Sequence, residues 1–235
     1  MNLKSIVIIP AYNEEASIEK TLKQVISSNY DYIVINDGST DSTAKILDQN
    51  KFNHVDLVNN LGIGGAVQTG YKYALDNNYD IAIQFDADGQ HDISYLEKLI
   101  EPIKNNQADL VIGSCFVDKS IKNQRSSKIR RFGIHFLSNV IKLFSGKRVH
   151  DPTSGFRAAN KKVIELFADN YPQEYPEPIS NFELLKFSHL KVKEVPVKMK
   201  KREAGHSSIR SWKSIYAAIN VLLSIIILNL GRKND

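Results

Sequence analysis

A single cysteine among 235 residues excludes an intrachain disulfide. Cys115 lies in the strand-like run ADLVIGSCF, where a small buried hydrophobe is the expected role, compatible with a reducing compartment without requiring one. No Pro/Gly/Ser-rich linker, low-complexity tract or internal repeat divides the chain. No amino-terminal signal is expected, because Met1 to Lys4 lead directly into a core strand and polar residues follow by position 12. The apolar run from Ser214 to Leu230, SIYAAINVLLSIIILNL, is shorter than the roughly 20 residues a bilayer crossing needs. It suits an interfacial helix, a dimer contact or a cover for a sheet, with full crossing the last option.

What is present is enough for a sizeable core. Hydrophobic residues make up 42% of the chain, and α/β folds of this length commonly form one domain. The net charge of +5 and pI near 9.1 are compatible with nucleic acid, yet the basic residues gather in two segments, DKSIKNQRSSKIRRFGIHF and KMKKREAGHSSIRSWK. Each adjoins apolar, helix-compatible sequence. Cations beside apolar surface suit an anionic headgroup layer or a phosphorylated lipid. A groove reader needs base-edge contacts from an identifiable motif, and none is visible.

The chemistry-bearing residues fall at strand ends. A buried strand is expected from Ser5 to Ile9, stopped by Pro10, with an amphipathic helix opening near Glu14 and Tyr12, Asn13 and Glu14 between them. A second strand, Tyr32 to Asn36, runs into DGSTDST, where Asp37 closes the strand and Thr40 or Asp41 can cap a helix. A third passage places Gly62, Gly64 and Gly65 just before a helix, either for close backbone approach to a ligand or for a tight turn. A fourth strand ends in IQFDADGQHD. Alternate residues of a strand share a face, so Asp86 and Asp88 are expected to leave the sheet edge together, with Gln90 as a further oxygen donor. Acidic loop residues also cap helices, so the pair gains meaning from its neighbours. Four junctions carry polar residues at one edge, which in open α/β sheets is where ligands bind.

Together IIPAYNEE (8–15), INDGSTDST (35–43), NLGIGGAVQTGY (60–71), FDADGQH (85–91) and DPTSGFRAAN (151–160) resemble the inverting family 2 glycosyltransferases. DPTSGFR and the pair Arg130 and Arg131 look most like the polyprenyl-phosphate hexose synthases of the dolichyl-phosphate mannose synthase type. The resemblance implies a GT-A fold, an α/β, mostly parallel sheet flanked by helices, expected over residues 1–210; the apolar run described above is expected to form a carboxy-terminal helix in 211–235 for oligomer or membrane-surface contact. It implies a nucleoside-diphosphate sugar held by Pro10, Ala11, Tyr12, Glu14, Asp37, Gly65 and Asp86, and Mg²⁺ or Mn²⁺ held by Asp88 and Gln90. The acceptor, a polyprenyl phosphate or lipid-linked glycan, is assigned to Arg130, Arg131 and Ser154. Glu177, Asp151 and Arg202 are the catalytic candidates, Arg202 through the pyrophosphate. The expected location is cytoplasmic, peripheral at the inner face of the cell membrane, with a homo-oligomer possible and no nucleic-acid partner.

The acceptor decides the remaining chemistry. A phosphate is already anionic and needs only cations to hold it, whereas a sugar hydroxyl needs a base. Pro176 and Pro178 are expected to fix a stiff turn that holds Glu177, the first candidate base, with Glu183 second and a structural role for both still open. Asp151 is either a helix cap or part of the acceptor site, and Arg157 braces its loop through a carboxylate or touches substrate. A nucleotidyltransferase would carry a basic, Gly-rich loop near the first strand, where this chain has the acidic IIPAYNEE. A sensor without catalysis would have no need of DPTSGFR or Arg202.

Overall fold

The computed structural model describes residues 3–118, 128–199 and 211–231, with no side-chain description at 119–130 or 200–215. Seven strands form one sheet: β1 (Ser5–Ala11), β2 (Asp31–Asn36), β3 (His54–Asp56), β4 (Ile81–Gln84), β5 (Leu110–Ser114), β6 (Arg157–Asn160) and β7 (Val192–Pro196). Their order is β3-β2-β1-β4-β6-β5-β7. Every pairing is parallel except those of β6, which runs antiparallel between β4 and β5. The helices are α1 (Ile18–Ser27), α2 (Thr43–Gln49), α3 (Gly62–Asp76), α4 (Leu96–Lys104), α5 (Lys128–Ser145), α6 (Lys161–Asp169), α7 (Pro176–Phe187) and α8 (Ser211–Gly231).

Strand periodicity divides the core in two. Ile6 and Ile8 of β1 point with Ile33, Ile35, Ala82, Leu110 and Ile112 into the cluster covered by α3 and α5 to α8. Val7, Ile9 and Ala11 point the other way, with Val34, Ile81, Ile83 and Val111, toward α1, α2 and α4. Both faces are covered, as the uninterrupted apolar run of β1 requires. α1 shows the matching helical pattern, burying Ile18, Thr21, Leu22 and Val25 at helical spacing.

Several boundaries differ from expectation. β1 does not stop at Pro10 but continues to Ala11, paired with Ile35 and Asn36 of β2. The Ile8 carbonyl accepts from Phe85 on the β4 side and the Ala11 carbonyl from Asp37 on the β2 side, so Pro10 presents its missing N–H toward β4. Pairing with β4 has already ended at Ile8 and Gln84, so no ladder bond is lost. The first helix begins at Ile18, not near Glu14, because Asn13 is left-handed (φ 54°) and residues 14–17 form a separate turn, with Ser17 and Ile18 both donating to the Glu14 carbonyl. The glycines at 62, 64 and 65 lie within the first turn of α3 instead of before it. β4 ends at Gln84, so Asp86 and Asp88 sit in the turn beyond it and strand alternation does not set their directions. Pro176 and Pro178 belong to the first turn of α7, where a missing N–H costs no intrahelical bond.

α8 packs against α5 and α7, burying Val221 and Ile225 and leaving Tyr216, Ile219, Leu223, Ile227 and Leu230 exposed. Among the described residues no helix is long and apolar enough to cross a membrane.

Candidate functional site

The loops after β1, β2 and β4 meet at the carboxyl edge of the sheet. The first two are bonded to each other: Asn13 Oδ1 accepts from the amides of Thr40 (2.8 Å) and Asp41 (3.3 Å), and the Asn13 amide donates to Ser39 Oγ (3.0 Å). Glu15 and the second loop exchange bonds, the Glu15 amide donating to Asp41 Oδ2 at 3.1 Å and Glu15 Oε2 accepting from the Ser42 amide at 3.0 Å. The Glu14 amide donates to Thr43 Oγ1 at 2.9 Å, and Glu14 Oε2 accepts from Ser17 Oγ at 2.7 Å. Asp41 Oδ1 accepts from the Thr43 amide (2.9 Å), the capping contact expected of it, although the N-cap position is Ser42. Glu15 was not among the expected site residues, and Asn13, expected in the polar cluster after β1, had no assigned contact; their signal was the polar run YNEE facing DGSTDST.

Pro10 and Ala11 close β1 beside Asp37, whose amide donates to the Ala11 carbonyl at 2.9 Å. Tyr12 stands open above them, about half exposed. The Asp37 carboxylate is buried and accepts from the Leu61 amide at 2.7 Å, placing an anion at the start of α3. Burial pushes its pKa up, opposed by the amides of Leu61 and Gly62. Gly65 is buried in the first turn of α3. A Cβ there would lie 2.4 Å from Leu61 Cβ and 3.2 Å from Gln173 Oε1.

Beyond β4, Asp86 keeps about a third of its side chain exposed (35%), whereas Asp88 is buried and its Oδ1 accepts from the Gln90 amide at 2.9 Å. Among the described residues no three His, Cys, Asp or Glu side chains gather as a metal cage. The donor set still fits one class of ion. Two carboxylates and an amide oxygen are hard ligands, and Mg²⁺ or Mn²⁺ at a diphosphate takes the rest of its shell from phosphate and water.

The segment before β6 supplies the opposite wall. Asp151 is no helix cap. Its Oδ2 accepts from the Cys115 amide at 3.2 Å, and the Glu194 carboxylate receives the amides of His150 and Asp151, each at 2.8 Å. Ser154 is buried and donates its hydroxyl proton to the Gly113 carbonyl at 2.6 Å. Arg157 is fully buried and braces the loop, as expected, but through the Ser154 carbonyl (3.1 Å) and Ser180 Oγ (3.0 Å) instead of a carboxylate. Glu177 keeps some surface as a residue, yet its carboxyl end is enclosed near Arg157 and accepts from Gln84 Nε2 at 3.4 Å. Burial raises its pKa, Arg157 opposes that, and Asp86 reinforces it. Glu183 is partly buried further along α7. Arg131 is exposed in the first turn of α5, while Arg202 and the side chain of Arg130 lie outside the described residues.

Residues 6–167, more than half of the chain, match Glycosyl transferase family 2. The chain belongs to that family. This family 2 glycosyltransferase is 40% identical over 201 residues to an uncharacterized protein of Methanocaldococcus jannaschii, covering 82% of this chain and 79% of that one. It is 31% identical over 250 residues to the UDP-N-acetylglucosamine–dolichyl-phosphate N-acetylglucosaminyltransferase of Methanococcus voltae, covering 97% of each chain. Its fold is shared with glucosyl-3-phosphoglycerate synthase from Mycobacterium tuberculosis, solved with Mn²⁺, UDP-glucose and phosphoglyceric acid. That likeness has a TM-score of 0.69 and 19% identity over 98% of this chain and 80% of the other.

Proposed function

We propose that this glycosyltransferase moves a hexose from a nucleoside-diphosphate sugar to a polyprenyl phosphate, with inversion and with Mg²⁺ or Mn²⁺. The observation that carries the proposal is the convergence of Asp37, Asp86 and Asp88 at one sheet edge, in a family 2 chain whose M. voltae relative is named for transfer to dolichyl phosphate. Tyr12 and the cross-braced loops of Asn13 and Asp37 hold the nucleoside, with Pro10, Ala11 and Glu14 shaping the floor. Asp88, Gln90 and Asp86 hold the ion and diphosphate. A divalent ion bound there neutralises charge that grows on the departing diphosphate. Arg202, from the late basic segment, adds a cation on the same group.

Arg130 and Arg131 hold the acceptor phosphate, which attacks without losing a proton. Residues 1–210 form the catalytic unit, and 211–235 attach it to the inner face of the cell membrane or to a second copy. The exposed row Tyr216, Ile219, Leu223, Ile227 and Leu230 supports that attachment, since it offers large apolar side chains on the stretch 214–230, which contains no Asp, Glu, Lys or Arg.

A second reading, transfer to a sugar hydroxyl, is favoured by one feature: the Glu177 carboxyl lies near Asp86 with a raised pKa, as a base would. The deciding assay incubates the full chain with UDP- and GDP-sugars, Mn²⁺ and either dolichyl phosphate or a glycan-bearing lipid. Organic-phase product only with dolichyl phosphate is expected. Product only with the glycan lipid would overturn the acceptor assignment, and no product dependence on a nucleotide sugar would overturn the donor.

A further inference from the structure

His91 makes two contacts to one residue. Its Nδ1 lies 3.1 Å from the Asp86 amide, which can only donate, so Nδ1 carries the lone pair and the ring proton resides on Nε2. Nε2 lies 3.6 Å from Asp86 Oδ2, so the N–H end of the ring faces the carboxylate. The ring itself is held. It is 2% exposed, stacks on Phe156 at 4.6 Å with 16° between planes, and meets the Phe85 edge at 5.3 Å.

The carboxylate is also bounded by a residue without a side chain. A Cβ built on Gly155 would lie 3.1 Å from both Asp86 oxygens and 2.9 Å from Gln84 Nε2. Gly155 has no left-handed φ to account for, so close approach is what the position needs. Gln84, fully buried, is in turn tied to Glu177 at 3.4 Å.

We propose that His91 is a positioning residue that, together with the bare backbone of Gly155, fixes the Asp86 carboxylate in the one orientation competent for the ion and diphosphate. The inference rests on the donor site proposed above. His91 touches neither substrate nor ion. It acts through Asp86, accepting its backbone N–H and confining its carboxylate, while Phe156 transmits the position of the 151–156 loop to the ring.

The test uses the full chain and reads Mn²⁺ affinity by calorimetry in the presence of UDP, or GDP if that nucleotide is preferred. His91→Phe keeps an aromatic ring against Phe156 but removes the acceptor, and should weaken Mn²⁺ binding about 10–100-fold, as losses of a ligand's supporting partner do. His91→Asn loses the ring stack but keeps an acceptor close to the Nδ1 position. It should melt lower than His91→Phe yet bind Mn²⁺ more tightly. Gly155→Ala should repeat the affinity loss, because the added Cβ would crowd both carboxylate oxygens. Affinity losses that simply follow thermal stability across the three variants would overturn the proposal, as would wild-type affinity in His91→Phe. Asp86→Asn separates this from the donor reading. If it abolishes Mn²⁺–nucleotide binding while His91→Phe leaves it intact, only the positioning role fails. If Asp86→Asn binds like wild type, the donor site itself is misplaced and both readings fall.

Discussion

Gly64→Ala asks whether the glycines opening α3 serve a ligand or the fold. A Cβ at this position would lie 2.4 Å from the carbonyl oxygens of Pro172 and Gln173 and 2.5 Å from Gln173 Cα. Ordinary contact begins near 3.4 Å, so the 172–173 backbone must retreat by about 1 Å. Backbone cannot rotate away as a side-chain tip can, so the upper end of the usual overpacking cost applies, about 3 kcal/mol. Alanine returns about 0.8–1 kcal/mol through helix propensity. The net loss is about 2 kcal/mol, or roughly 4–8 °C in Tm for a chain of this size. Thermal melts followed by far-UV circular dichroism measure the shift, and calorimetry with nucleotide and Mn²⁺ measures the donor site. We expect the lower Tm with donor affinity near wild type. An unchanged Tm with donor affinity down tenfold or more would refute the packing argument and return the glycines to ligand approach.

Asp88→Asn should abolish Mn²⁺-dependent nucleotide binding while the far-UV spectrum stays native, since the residue lies beyond β4; retained Mn²⁺ dependence would remove it from the ion site. Arg131→Ala should raise the KM for dolichyl phosphate with kcat little changed, because the exposed guanidinium contributes capture and not bond-making; an unchanged KM would place the phosphate elsewhere. Glu177→Gln should preserve transfer to a lipid phosphate, whereas loss of a general base costs about a hundredfold to ten-thousandfold. The raised pKa of Glu177 means that folding disfavours its ionised form, a penalty absent below the ordinary glutamate pKa and fully present above the folded value. The Glu177→Gln variant, neutral at every pH, should therefore match or exceed wild-type stability at neutral pH in urea titrations, with the gap closing in acid; the opposite trend would show the carboxylate to be net stabilising.

The strands were legible because their signal is local. β2 matches its expected span within one residue, and the apolar stretch of β1 was visible although its end was not. Pro10 misled because the rule against proline in a ladder depends on which neighbour each N–H faces, and that depends on where β4 stops pairing. Asp86 and Asp88 were found by their spacing, yet the reason given, shared strand direction, did not apply once β4 ended at Gln84. His91 has no signal of its own in the sequence beyond its place at the end of FDADGQH. Its role depends on Phe156, 65 positions away, and no periodicity within either segment encodes that contact. Glu177 was picked out by its prolines, while its surroundings, Gln84 and Arg157, are brought together only by the sheet order.

That sheet order also explains why one loop touches so much of the site. β6 is antiparallel to both of its neighbours, so its amino end, not its carboxyl end, meets the edge where β4 and β5 finish. The segment 151–156 therefore enters the sheet beside the turn that carries Asp86 and Asp88. From there Asp151 reaches the Cys115 amide after β5, Ser154 reaches the Gly113 carbonyl within it, and Gly155 meets the Asp86 carboxylate after β4. A parallel β6 would have delivered Asn160 and α6 to this edge instead and left the 151–156 segment at the far side. The motif DPTSGFR thus joins the turn that carries Asp86 and Asp88 to the end of β5, and a substitution anywhere in it is expected to disturb both together.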